Sequence, residues 1–112
     1  MPEFEELRTF LRNIRIAHHI RGRIRLKLDG EMPAMEMPGE QARALRTVLD
    51  RSPGIVDVKV NLLARSCTVI YDPGTIPEQA WSELLGGSAS AAAALLEDIL
   101  RDTYREIAHA EP

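Results

Sequence analysis

Between Ile20 and Leu28 apolar and basic residues take turns. Ile20, Ile24, Leu26 and Leu28 alternate with Arg21, Arg23, Arg25 and Lys27. A period of two sends successive side chains to opposite faces, so the segment predicts a β-strand with one buried side and one wet, cationic side. Gly22 falls on the buried side of that pattern, where it admits a close approach or a bulge. The strand is expected over residues 15–28, with Asp29-Gly30 ending it.

The flanking segments supply what must roof the apolar side. Phe4, Leu7, Leu11 and Ile14 recur at helical spacing, which predicts a short amphipathic helix from Pro2 to about Asn13. Glu3, Glu5 and Glu6 favour its first turn through the helix dipole. Glu31 to Pro38 reads as a loop. A helix is expected from Gly39 to Arg51, with Ala42, Leu45, Val48 and Leu49 as its stripe, stopped by Ser52-Pro53-Gly54. Ile55 to Asn61 alternates again, with Val56, Val58 and Val60 expected on one face. Ser66 to Tyr71 follows after a short link, which predicts an antiparallel hairpin with Cys67, Val69 and Tyr71 facing inward. Pro77 opens a short helix that Gly86-Gly87 ends. The last helix is expected from Ser88 to Ala110, with Ala92, Leu95, Leu96, Ile99, Thr103 and Ile107 as its stripe.

The order strand, helix, strand, strand, helix is the split βαβ pattern of an α+β ferredoxin-like sandwich without its last strand. Where that strand would come, Ser88-Ala-Ser-Ala-Ala-Ala favours a helix instead. The expectation is therefore a three-stranded antiparallel sheet within one domain, residues 1–112. It divides into an N-terminal helix (1–14), a core (15–86) and a C-terminal helix (88–110). The first strand would lie at the sheet edge, its basic residues guarding against aggregation or pairing with a second copy.

Composition narrows the function. One cysteine among 112 residues excludes a disulfide framework and any Cys-x-x-Cys site. The absence of an 18-residue apolar run and of a signal-peptide core points to a cytoplasmic chain without membrane insertion. The net charge is −3, but residues 7–28 carry seven basic side chains and no acid, while seven acids and two arginines follow Thr75. The ends are therefore expected to attract each other or a second copy. Aromatics are only 4%, too few for the stacking surfaces of RNA-binding sheets, so no nucleic-acid role is expected.

The stretches His19-Ile-Arg-Gly-Arg-Ile-Arg-Leu26, Ser52-Pro-Gly-Ile-Val-Asp-Val-Lys-Val-Asn61 and Ser66-Cys-Thr-Val-Ile-Tyr-Asp-Pro73 resemble, in order and spacing, the divergent heavy-metal-associated domains. Those domains are similar to the N-terminal regions of metal-transporting P-type ATPases. The resemblance covers roughly residues 16–85 and implies a ferredoxin-like sandwich. Better-known members hold soft metals through a Cys-x-x-Cys loop after the first strand; this chain has no cysteine there.

In that loop stand Met32, Met35 and Met37, whose thioethers suit Cu(I) or another soft transition metal. The alternative is that they fill a gap or make a contact surface. His18 and His19 are auxiliary ligand candidates. As strand neighbours they point to opposite faces unless a bulge intervenes, with His18 expected inward and His19 outward. Cys67 is expected to be a small buried hydrophobe. Arg21, Arg23, Arg25 and Lys27 form the expected partner-binding ladder. No phosphate loop, nucleophile elbow or paired carboxylates appear, so no catalysis is expected. The implied role is a non-catalytic module of metal homeostasis, either a degenerate soft-metal site or a docking module for a metal-transport ATPase. The alternative is a homodimeric assembly protein without metal. A weaker third option is a small-ligand regulatory domain.

Overall fold

The computed structural model describes residues 3–28, 39–61 and 63–110. In chain order it has α1 (Phe4–Leu11), β1 (Ile14–Ile20), β2 (Arg23–Leu28), α2 (Gly39–Arg51), β3 (Ile55–Asn61), β4 (Ser66–Tyr71), α3 (Glu78–Leu85) and α4 (Ala91–Ala110). This is an α+β fold with one four-stranded antiparallel sheet, in the order β1-β2-β4-β3.

The long basic strand expected over residues 15–28 is two strands. Ile20 pairs with Arg23, so Arg21 and Gly22 form a two-residue turn. Gly22 has φ +85°, while Arg21 stays at negative φ, the pattern of a type II turn that favours glycine at its second central position. Alternation alone misses this turn because it does not change the hydrophobic period. A strand of fourteen residues would be more than twice the usual ~5–6, and that length is the signal that could have exposed it.

The turn changes the sheet. β1 folds back on β2, so the sheet has four strands instead of three. β2, expected at the edge, lies inside between β1 and β4. The open edges belong to β1 and β3. β1 carries Arg15 and an irregularity between Ile16 and His18, features that discourage edge-to-edge pairing.

Ile24, Leu26, Val58, Val69 and Tyr71 are buried on one side of the sheet. Leu45, Val48 and Leu49 of α2 join the same cluster, as do Ala80 and Trp81 of α3, and Leu96 and Leu100 of α4. α2 packs on β3, α3 reaches β1, and α4 lies on α2 and α3. Leu7 and Phe10 anchor α1 in that core; Ile14, expected on its stripe, belongs to β1. Arg8 Nε meets Glu97 Oε1 at 2.7 Å, and the Phe4 ring lies 5.6 Å from that of Tyr104. The basic and acidic ends of the chain thus meet at this ion pair.

Two further expectations shift. Val56 is 69% exposed because the β3–β4 register slips between Ile55 and Asp57, leaving Val56 as the extra residue of a bulge. Val58 stays buried, and Val60 sits at the half-open end of the strand. α4 begins at Ala91 rather than Ser88, since the Ser90 hydroxyl accepts the Ala93 N–H at 3.0 Å and so starts the helix. The buried line of α4 is Ala93, Leu96, Leu100, Thr103 and Ile107, with Leu95 turned to solvent. Among the described residues no helix is long and apolar enough to cross a membrane.

Candidate protein-docking face

The side of the sheet away from the helices is a lattice that the register defines. One row runs Arg15, Lys27, Ser66, Asn61 across β1, β2, β4 and β3. The next runs His18, Arg25, Thr68, Lys59, and the third Ile20, Arg23, Ile70, Asp57. Directly opposed side chains in an antiparallel pair share a face and lie about 5 Å apart at Cβ. Five full cations therefore share this face with one carboxylate, Asp57. Arg15, Arg23, Arg25 and Lys59 are exposed and Lys27 is half-buried.

Among the described residues none of the five cations forms an ion pair. Arg15 stands directly opposite Lys27. Like charges in that relation cost roughly 0.2–1 kcal/mol, so the face carries unrelieved repulsion. Arg21, expected in the ladder, stands in the hairpin turn instead. Arg15 and Lys59 join Arg23, Arg25 and Lys27, and only the pairing register could assign them. None of the five aromatic residues, Phe4, Phe10, Tyr71, Trp81 and Tyr104, lies in the three rows, so this face offers no stacking platform.

The histidines are the reverse of the expectation. The irregularity at Ala17 shifts the alternation by one, so His18 lies opposite Arg25 on the cationic face and His19 opposite Ile24 on the core side. Ile20, expected inward, is consequently 49% exposed. His19 Nε2 is 2.7 Å from the Tyr71 hydroxyl, and the Tyr71 ring lies 5.2 Å from that of Trp81. With Nε2 unprotonated, the hydroxyl donates to it. Burial lowers the His19 pKa from its ordinary value, Glu78 opposing and His18 assisting. Burial likewise raises that of the Tyr71 phenol.

Residues 29–38, with Met32, Met35 and Met37, lie outside the described residues. The two histidines point to opposite faces and cannot jointly chelate one ion. Among the described residues no group of three or more His, Cys, Asp or Glu side chains could hold a metal. Cys67 is half-buried; burial pushes its thiol pKa up, with Arg46 pulling the other way. No protein-family model, curated protein or solved structure matches the chain.

Proposed function

We propose that the chain is a non-catalytic docking module whose cationic sheet face receives an acidic protein surface. The observation that carries this reading is the set Arg15, Arg23, Arg25, Lys27 and Lys59 on one open sheet face, none of which forms an ion pair among the described residues. A rigid array of like charges does little for folding. It attracts and orients a partner of opposite sign, raising the rate of encounter and suppressing wrong partners.

The sheet order is compatible with a ferredoxin-like sandwich. β2, α2, β3, β4 and α3 form the expected βαββα series, and β1 fills the place beside β2 where the last strand of such a fold pairs. That arrangement and the resemblance to heavy-metal-associated domains support a place in metal homeostasis. The partner class they suggest is an acidic surface of a metal-transporting P-type ATPase.

The test uses a fluorescein-labelled Asp/Glu-rich peptide as probe and anisotropy as readout. Binding is expected to weaken at least tenfold between 50 and 200 mM salt, and at least tenfold in an Arg23→Glu/Arg25→Glu variant. Arg105→Glu, on exposed helix surface, should leave binding unchanged. Equal binding by the sheet-face variant overturns the docking role. A mass in solution of twice the chain, returned to monomer by the same variant, would instead identify a second copy as the partner.

A further inference from the structure

At the end of the sandwich where β2 and β3 finish and α2 begins lies a cavity of about 210 Å³. Its described walls are apolar, with Leu26 of β2, Leu45 and Leu49 of α2, Val58 of β3 and Cys67 of β4 among them. Its described charged lining is of one sign: Lys27, Arg43, Arg46 and Arg65, with no carboxylate among them. Arg43 and Arg46 are exposed on α2, one turn apart. Arg46 meets Asp50 only loosely, Nε to Oδ2 at 3.8 Å.

An apolar chamber bordered by cations fits a ligand with a greasy tail and an anionic head. The volume decides the tail. At about 30 Å³ for a water-sized group, the cavity holds on the order of seven such groups, the size of a medium acyl chain. Neutral apolar compounds would leave the exposed Arg43 unengaged, and amines would meet repulsion. We infer that this cavity binds a medium-chain carboxylate, its tail among Leu26, Leu45, Leu49 and Val58 and its head between Arg43 and Arg46. The cavity shares Lys27, Ser66 and Asn61 with the first row of the sheet face, but Arg43 and Arg46 lie on α2 and take no part in the docking role.

Cys67, the sole cysteine, lies in the cavity wall and reports occupancy. Equilibrium dialysis of labelled octanoate measures binding, and N-ethylmaleimide labelling of Cys67, followed by mass spectrometry, locates it. Saturable binding of one octanoate per chain is expected, with Cys67 labelling slowed at least fivefold at saturation. An Arg43→Glu/Arg46→Glu variant should weaken binding about tenfold, and octan-1-ol should need at least tenfold higher concentration to protect Cys67. Ala42→Phe, which fills the cavity from α2, should abolish binding while circular dichroism stays unchanged. Absence of saturable binding overturns the proposal, as does binding that Ala42→Phe leaves intact. Equal potency of the alcohol overturns the role of the arginines.

Discussion

The irregularity at Ala17 decides which side chains of β1 enter the core, and a pair of isoleucines measures it. Ile24 is fully covered, between His19 of β1 and Val69 of β4. Ile24→Ala removes buried carbon and leaves a cavity that water cannot refill, at a cost of about 2–5 kcal/mol. Ile20 is four residues away and 49% exposed. Complete burial of such a side chain is worth about 1.5–3 kcal/mol, so half-burial with no cavity term puts Ile20→Ala near 1 kcal/mol. Trp81 is the only tryptophan and is 3% exposed, so its fluorescence follows unfolding in urea. With a slope of about 1.5 kcal/mol per molar urea, Ile24→Ala should lower the midpoint by roughly 2 M and Ile20→Ala by about 0.6 M. Equal losses from the two substitutions would mean that the alternation runs straight through residue 20. His18 would then be the inward histidine, and the register of β1 given above would fail.

Other perturbations reach the turns and the His19–Tyr71 contact. At Gly54, with φ +90°, a Cβ would stand 2.8 Å from Thr75 Cγ2 and 3.1 Å from Ile76 Cδ1, whereas at Gly87, with φ +79°, it would meet nothing within 4 Å. Gly87→Ala should therefore cost only the ~1–2 kcal/mol of the left-handed backbone, and Gly54→Ala about 1–3 kcal/mol more, both read by urea unfolding. Tyr71→Phe keeps the ring against Trp81 but removes the hydroxyl from His19, so a loss of about 1 kcal/mol is expected; an unchanged midpoint would make that hydrogen bond inconsequential. Because the folded His19 pKa lies below its unfolded value of ~6.5, the unfolded chain takes up the proton first. The stability held by neutral His19 is complete above that pH and lost as pH falls through the lowered folded value. The urea midpoint should drop from pH 7 toward pH 5, and His19→Gln should remove that part of the slope. An identical slope in the variant would assign the effect to other groups.

What could be read from residue order alone was local. α2 runs from Gly39 to Arg51 as its stripe and the Ser52-Pro53-Gly54 stop require. β3 and β4 keep the bounds that their alternation and flanking turns imply. From Ala91 onward the alanine-rich stretch is a helix, where a strand would have been poor. Each outcome follows from propensity and from neighbours within a few positions, which the chain carries with it. The positions of Met32, Met35 and Met37 fall outside the described residues, so that part of the expected site stays an expectation.

Only tertiary contacts decided the rest. A bulge exists relative to a partner strand, so Ala17 and Val56 become extra residues only once β2 and β4 set the register. The Arg21-Gly22 turn brings β1 alongside β2, moves the basic strand from the edge to the interior, and carries His19 to Tyr71, fifty-two positions along the chain. The cationic lattice likewise needs the register to bring Arg15, Lys59 and the β2 ladder onto one plane. Alternation encodes which side chains avoid water, but pairing energy summed across four strands determines which of them become neighbours.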